Sequence, residues 1–301
     1  MTKKRHHYIP QFYLKGFVDP NTSKEQTPYL WVGDIGEKRI FRKAPTNVAR
    51  LHGYYTITRP TEVENQDFED YLATKEAKAA PVLERLITAS DSLSDSERRL
   101  FSEFVTVQKY RVPCFREKVH ELLEDVARTT MRMMASDPKR WQRKITELEK
   151  ETGVKVGAET ESLRQFTLSN GYDIKASPNM SLGIMLKLIN TIAPIINEMR
   201  WAVFSTPIGQ NLLTSDCPVS LYDPTTRPLL MGVGLGMEKV ELILPLTRHA
   251  FLFATWNGPT GHGVATSKNI DQVNYRTTES ARRYLFGPDE GLVKQFLEFR
   301  K

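Results

Sequence analysis

Hydrophobic and polar residues follow different periods in different parts of this 301-residue chain. Between residues 28 and 41, two short apolar runs flank a polar turn at 33–36. This pattern predicts a β-hairpin, with Trp31 and Phe41 as its aromatic anchors. Residues 46–59 are expected to form a loop that leads into a short strand.

The apolar period becomes helical in the middle of the chain. A single stripe of apolar residues over about 67–87 predicts a long helix. Residues 94–97 read Ser-Asp-Ser-Glu, a capping-box sequence that predicts the start of a second helix, which should break near Pro113. Residues 115–178 are charged and helical and are interpreted as a helical insertion, and an apolar helix is expected over about 180–199.

The last third of the chain changes to short apolar runs bounded by Gly, Pro, Asp and Thr, which are typical of strands in a mostly antiparallel sheet. Two helices, at about 269–284 and 290–300, are expected to close the chain. The predicted class is α+β: an N-terminal hairpin and long helices, then a C-terminal, mostly antiparallel sheet flanked by helices. Residues 1–301 are taken as a single large domain with the helical insertion at about 115–178. The expected strands are 201–204, 212–213, 229–231, 240–244 and 250–254.

Composition indicates a soluble globular protein, with 40% hydrophobic and 26% charged residues. No apolar run is expected to be long enough to cross a bilayer, so no membrane partner is predicted. The basic start lacks the apolar stretch of a secretory signal peptide. Cys114 and Cys217 are too few for a disulfide framework, and their setting does not indicate a redox pair. A cytoplasmic location is therefore expected.

The net charge of +6 favours an anionic partner such as nucleic acid or a nucleotide. An equally weighted alternative is that many soluble proteins are simply basic. A basic cluster around Trp141, formed by Arg140, Arg143 and Lys144, could stack on a base or follow a phosphate backbone. A solvated helix face is the commoner explanation for such a run.

The first seventeen residues contain the densest set of chemically special side chains. His6, His7, Tyr8 and Gln11 lie together around a proline, a composition unlike that of a disordered tail. The segment is therefore predicted to be tied into the fold. Adjacent side chains on a strand point to opposite sides, so one histidine is expected to act and the other to pack.

Polar residues interrupt the apolar faces of the two predicted long helices. Glu69 and Glu76 are seven residues apart and fall on the apolar stripe of the first helix. Gln108 and Arg111 fall on the packed face of the second, just before the break at Pro113. Three explanations stay open: the side chains turn into a cleft, Arg111 forms a salt bridge to Glu69 or Glu76, or the carboxylates lie in solvent at the margin.

Asp216 lies between two predicted strands, within the sequence Thr-Ser-Asp-Cys-Pro-Val. An aspartate at the end of a buried strand, followed by an X-Pro step, can present its carboxylate at the rim of a sheet. The alternative is a turn-capping role for the same carboxylate. A nucleophilic role for Cys217 is disfavoured, because the adjacent carboxylate opposes formation of a thiolate.

The N-terminal His-His-Tyr-Ile-Pro-Gln-Phe-Tyr-Leu-Lys-Gly-Phe and the late Thr-Ser-Asp-Cys-Pro-Val together resemble a widespread, mainly bacterial family known as a domain of unknown function. Residues 115–178 are the part least alike. The family most often has asparagine where this chain has Cys217. The resemblance implies candidate positions and no reaction. The likeness extends to Glu69, Glu76, Gln108, Arg111, Pro113, Leu244-Pro245-Leu246 and Asn274.

These residue types suit metal-assisted or general acid–base hydrolysis, in which imidazole, carboxylate and guanidinium groups bind a cation, move a proton and hold a phosphate. The first hypothesis is a hydrolase, a phosphodiesterase or nuclease acting on nucleic acid or a nucleotide. The alternative is a non-catalytic ligand- or nucleic-acid-binding sensor module with a buried polar network. The cofactor and the oligomeric state stay open, with a divalent metal as one option. The candidate catalytic residues are His6, His7, Glu69, Glu76 and Asp216, and the candidate substrate-binding residues are Tyr8, Gln11, Gln108 and Arg111.

Overall fold

A computed structural model describes residues 5–22, 26–55, 67–88, 93–169, 171–225 and 233–300. The chain divides into two compact units, one formed by residues 1–115 and 182–301 and the other by residues 116–181. Helices and mainly antiparallel strands confirm the predicted α+β class. The expected strand at 229–231 and the end of the loop at 56–59 lie outside the described residues.

Strands and helices alternate irregularly along the described chain. The strands are β1 (Arg5–His7), β2 (Leu30–Asp34), β3 (Arg39–Lys43), β4 (Arg50–His52), β5 (Arg200–Ser205), β6 (Thr214–Ser215), β7 (Ser220–Tyr222), β8 (Glu241–Thr247), β9 (Ala250–Thr255), β10 (Gly261–Val264) and β11 (Tyr284–Gly287). The α-helices are α1 (Gln11–Leu14), α2 (Asp67–Thr88), α3 (Asp95–Tyr110), α4 (Pro113–Ala135), α5 (Pro138–Thr152), α6 (Thr160–Ser169), α7 (Pro178–Glu198), α8 (Ser267–Ser280) and α9 (Glu290–Phe299).

Two sheets and a short ribbon organise the larger unit. The first sheet has the order β10-β5-β9-β8-β7 and is antiparallel except for the parallel pair β10 and β5. The second is antiparallel with the order β3-β2-β11-β6, and β1 pairs with β4 in a separate ribbon. The predicted hairpin is confirmed as β2 and β3, but it pairs with β11 near the end of the chain.

The prediction of a helix over 269–284 was wrong about where the helix ends. The helix α8 ends at Ser280, Ala281 adopts an extended conformation, and Tyr284 begins β11. The short apolar run of β11 is buried between β2 and β6, so pairing with distant strands decides its conformation.

The capping-box prediction for α3 is confirmed. The Ser94 side chain accepts a hydrogen bond from the Glu97 backbone N–H, and the Glu97 carboxylate accepts one from the Ser94 backbone N–H. Two backbone donors at the helix start are thereby satisfied. The helix ends with Arg111 as its C-cap, and Pro113 then begins α4. Arg111 therefore lies at the predicted break between two helices.

The N-terminal segment lies in the core of the larger unit, as predicted. The Tyr13 hydroxyl donates a hydrogen bond to the Pro245 carbonyl and contacts the Thr214 hydroxyl, both at 2.7 Å. A Cβ atom at Gly16 would lie only 3.0 Å from a methyl of Thr247, so glycine permits this close approach. Each fully buried large apolar side chain contributes about 1.5–3 kcal/mol to stability. The buried apolar residues of the segment are Tyr8, Ile9, Tyr13, Leu14 and Phe17.

The smaller unit, residues 116–181, has its own small apolar cluster. Trp141 and Ile145 of α5 are buried beside Ala135, and the Trp141 indole N–H donates to the Thr160 carbonyl at 3.0 Å. The option that Trp141 stacks on a base was therefore wrong. The neighbouring Arg140 lies exposed, as expected for a solvated helix face.

The stretch Asn179–Glu198 of α7 is long and apolar enough, by length and composition alone, to cross a membrane. This corrects the expectation that no apolar run approached that length. A helix in the core of a soluble protein passes the same test. Met185, Ile189 and Ile196 of this helix are buried within the larger unit.

Cys114 and Cys217 form a disulfide, with their Cα atoms 7.0 Å apart and 103 residues between them in sequence. The setting of these two cysteines in the sequence does not predict this disulfide. Their proximity depends on the first turn of α4 lying against the residue that follows Asp216. Sequence spacing carries no signal for a contact of that range.

Candidate functional site

The ribbon of β1 and β4 positions the two histidines. Arg5 lies opposite His52, and His7 lies opposite Arg50. Directly opposed residues share a face of the ribbon, whereas consecutive residues alternate between faces. Arg5, His7, Arg50 and His52 therefore form one face, called here the cationic ribbon face, and His6 belongs to the other.

His6 is buried, with 3% exposure, and both of its ring nitrogens are engaged. Nδ1 accepts a hydrogen bond from the Tyr55 backbone N–H at 2.8 Å, so Nε2 carries the proton and donates to Glu69 Oε2 at 3.0 Å. The imidazole also stacks on the Tyr55 ring. With no nitrogen lone pair available, His6 acts as a structural link from β1 to α2.

Arg111 is the other fixed point, with only 2% exposure. Its guanidinium donates to Glu76 Oε1 at 2.6 Å, to the Tyr55 hydroxyl at 3.1 Å and to the His7 carbonyl. Burial by itself lowers the pKa of Arg111, but Tyr55 and Glu76 outweigh it and the net shift is upward, so the group stays charged. Of the alternatives left open by sequence, the structure has the salt bridge from Arg111 to Glu76.

His7 differs from its neighbour in exposure and bonding. It is half-buried, and Nε2 accepts a hydrogen bond from Gln11 Nε2 at 3.1 Å. Burial, followed by the positive charges of Arg50 and Arg111, lowers the pKa of His7 to about 4, and the Val48 backbone acts in the opposite direction. His7 is therefore a neutral imidazole at neutral pH.

Gln108 is fully buried on α3, and neither atom of its amide has a hydrogen-bond partner among the described residues. On the same helix face, Phe104 packs on Phe12 with ring centroids 5.6 Å apart, and Arg111 reaches the His7 carbonyl. Gln108 thus lies on the stripe that faces the N-terminal segment. The two donors and the acceptor of its amide are thus unused by the described residues.

Asp216 is buried, and its carboxylate is used by the backbone. Oδ1 accepts from the Arg282 N–H and Oδ2 from the Arg283 N–H, both at 2.8 Å. Burial raises the pKa of Asp216, although these backbone N–H groups act against the rise. The carboxylate therefore caps a distant turn, the connection from α8 to β11, and not the local turn that the sequence offered as an alternative.

Tyr8 is buried, and its backbone N–H donates to the Ala49 carbonyl at 2.9 Å. Burial raises the pKa of its hydroxyl, and the charge of Asp216 raises it further. The phenol is therefore protonated at neutral pH and can donate a hydrogen bond but cannot act as a base. Tyr8 thus lies close enough to Asp216 for the carboxylate charge to raise the pKa of its hydroxyl.

The structure thus brings most of the predicted residues into one network, while the bonds of Asp216 go to the backbone of Arg282 and Arg283. Sequence reasoning missed Tyr55 and three members of the cationic ribbon face. Arg50 and His52 do stand two residues apart, which is a strand signal, but their partner strand was not apparent. The residues joined in the network are His6, His7, Gln11, Glu69, Glu76 and Arg111.

A metal centre was one of the options from sequence. Within the ranges that the structure describes, no group of three or more His, Cys, Asp or Glu side chains is arranged to hold a metal ion. The pairs His6–Glu69 and Arg111–Glu76 each use one carboxylate. The Glu76 carboxylate balances the charge of Arg111, and the Glu69 carboxylate accepts a hydrogen bond from the proton-bearing Nε2 of His6.

Comparison with models of known families identifies a matching family. A family model described as a protein of unknown function, DUF4238, matches residues 5–291. The resemblance drawn from the two motifs is confirmed. No curated protein and no solved structure matches the chain.

Proposed function

Because the chain belongs to the DUF4238 family of proteins of unknown function, we propose a function from the geometry of the site alone. The protein binds a phosphate-bearing ligand, nucleic acid or a nucleotide, on the cationic ribbon face. The observation that carries this proposal is the strand register, Arg5 opposite His52 and His7 opposite Arg50.

The charge on this face supports an anionic ligand. Arg5 and His52 are exposed and Arg50 is partly exposed, and none of the three forms an ion pair with a described residue. Opposed side chains on a ribbon are about 5 Å apart, and those two residues apart along a strand are about 7 Å apart. Guanidinium groups at this spacing can hold phosphate oxygens through bidentate hydrogen bonds.

The buried network supports the face from behind. His6 is bonded to Glu69 of α2, and the Arg111 guanidinium holds the His7 carbonyl. A ribbon of two three-residue strands is marginal by itself. The network therefore fixes the register that brings the four side chains together.

Binding should be coupled to protonation of His7. Two nearby positive charges help to lower the pKa of His7 to about 4, and a bound phosphate would offset them. The pKa should therefore rise on binding, so that affinity increases as the pH falls from 7 towards 5. The variant His7→Gln should lose this part of the pH dependence.

Hydrolysis of the bound phosphodiester is a second candidate, because His7 is a neutral, partly exposed imidazole beside Arg50. To accept a proton from an attacking hydroxyl or water, the ring must first be released by Gln11, whose amide N–H occupies the Nε2 lone pair. Its low pKa makes it a weak base until the ligand's negative charge raises the pKa. The hydrolase hypothesis thus depends on His7 and on displacement of the Gln11 amide from its Nε2 by the ligand.

The test compares fluorescence anisotropy of labelled RNA, single-stranded DNA and a nucleotide at several salt concentrations. The double variant Arg5→Gln/Arg50→Gln should weaken binding at least about tenfold. The slope of log affinity against log salt concentration should fall by the amount expected for the loss of about two phosphate contacts. The control Arg140→Gln removes an exposed charge in the other unit and should change little. Equal effects from both, or no binding to any of the three probes, would contradict the proposal.

Cleavage is measured on the same labelled probes by gel electrophoresis. If the protein is a hydrolase, His7→Ala should abolish product formation while binding stays within about threefold. Binding without cleavage by the wild-type protein would support the binding module and reject the hydrolase.

A further inference from the structure

Helix α4 carries an exposed apolar stripe within the smaller unit. Leu122, Val126 and Met133 are 63%, 55% and 60% exposed. With Thr129 they recur at offsets of four, three and four residues, so they lie on one face over about 16 Å. Large apolar side chains exposed singly are ordinary, but a continuous stripe marks an interaction surface.

Charged residues follow one side of this stripe in a particular order. Glu121 and Asp125 lie in the first half, and Arg128 and Arg132 follow at the same helical spacing. Arg128 lies 3.8 Å from Asp173 at the surface, and the other three form no ion pair within the described part of the chain. Because the acidic residues precede the basic ones, this flank is complementary in charge to a second copy of itself that runs in the opposite direction.

We infer that this stripe binds the same stripe of a second copy of the chain, with the two α4 helices antiparallel about a twofold axis near residues 126–127. In such a pair, each flank of one helix lies against the same flank of the second copy, which runs in the opposite direction. Glu121 then meets Arg132 of the second copy, and Asp125 meets Arg128 of the second copy. A parallel pair would place this flank against the opposite one, which offers no opposite charges, so the charge order selects the antiparallel arrangement.

The size of the surface sets the strength of association. One pair of helices buries less than the roughly 800 Å² per partner of a standard interface. The dimer should therefore be weak, with dissociation in the micromolar range, and its exposed ion pairs should make it sensitive to salt. This inference is independent of the ligand proposed for the cationic ribbon face.

The test exchanges charges on the full-length chain and measures mass by light scattering and sedimentation across a concentration series. The variant Glu121→Lys/Asp125→Lys makes the flank wholly basic, and Arg128→Glu/Arg132→Glu makes it wholly acidic. Each alone should be monomeric at concentrations where the wild-type protein dimerises. An equimolar mixture should form a heterodimer, because all four pairs are then attractive.

The mixture keeps the test meaningful even if one variant is less stable, since restored association requires two folded partners. The control Glu151→Lys/Glu159→Lys changes the same charge elsewhere in the smaller unit and should leave the dimer intact. Val126→Lys places like charges near the axis and should abolish the dimer. A wild-type protein that is monomeric at about 100 µM, or charge variants that dimerise as well as wild type, would overturn the inference.

Discussion

His6 and His7 are neighbours in sequence, yet the two faces of their ribbon have opposite properties. On the inner face, His6 is buried with both nitrogens bonded. On the outer face, His7 is half-buried and neutral beside Arg50. Because side chains alternate between the two faces of a strand, these adjacent imidazoles lie on opposite faces. One supports the fold, and the other is available to a ligand.

The comparison teaches that a dense cluster of polar residues is not by itself an active site. Glu69 and Glu76 each neutralise or orient a protein group, His6 and Arg111 respectively. Such bonds hold the backbone from which the outer face projects. Some of the residues that suggested hydrolysis therefore stabilise the fold, and others are placed to contact a ligand.

The largest expected effect breaks the inner face. Arg111→Met removes a buried charge from Glu76, from the Tyr55 hydroxyl and from the His7 carbonyl. The free energy of unfolding should fall by about 3–5 kcal/mol, because one partner of a buried pair is lost. Arg50→Met on the outer face should change it by no more than about 0.5 kcal/mol. Denaturant unfolding of both variants measures the difference, and equal losses would remove the distinction between the faces.

The second effect concerns the disulfide, which joins the start of α4 to the residue after Asp216. Reduction should lower the free energy of unfolding by about 2–4 kcal/mol, because the open loop gains entropy in the unfolded state. Ligand affinity should be unchanged, since neither cysteine belongs to the cationic ribbon face. The double variant Cys114→Ser/Cys217→Ser supplies the control, because its stability should not respond to reductant.

The redox state of this pair also bears on location. Disulfides persist in oxidising compartments and are rare in a reducing cytoplasm. A cytoplasmic location stays a prediction, and thiol labelling of the protein in intact cells tests it. Two reactive thiols are expected in a reducing compartment.

The smallest effect sharpens the contrast through pH. Folding lowers the pKa of His7 from 6.5 to about 4, so between these values the unfolded chain binds more protons than the folded one. Stability should therefore fall as the pH decreases from about 6.5 to 4. His7→Gln should flatten this part of the profile of unfolding free energy against pH. A profile identical to that of wild type would mean that His7 is not held neutral by the fold.

Sequence patterns predicted the elements whose signals are local. The capping box at Ser94, the turn between β2 and β3, and the stripe of α2 each lie within a few residues of the structure they specify. The burial of the N-terminal segment also followed from its composition. In these cases side-chain spacing and backbone chemistry agree without help from distant residues.

The relations that were missed are long-range. The strands of the β1–β4 ribbon have three residues each and are more than forty residues apart, too short for a periodic signal. Tyr55, which joins His6 to Arg111, carries no motif. The partners of Asp216 are backbone groups of Arg282 and Arg283, which any residue type could supply. Only the folded chain identifies them.

The anchoring of Tyr13 has a consequence for synthesis of the protein. Its hydroxyl bonds to partners 201 and 232 residues further along. On the ribosome, the apolar side chains of this segment emerge before the strands that cover them and stay exposed to solvent until those strands have been translated. Nascent chains with such late closure are vulnerable to aggregation, so yield in cells should depend on elongation rate and on chaperones that shield this segment.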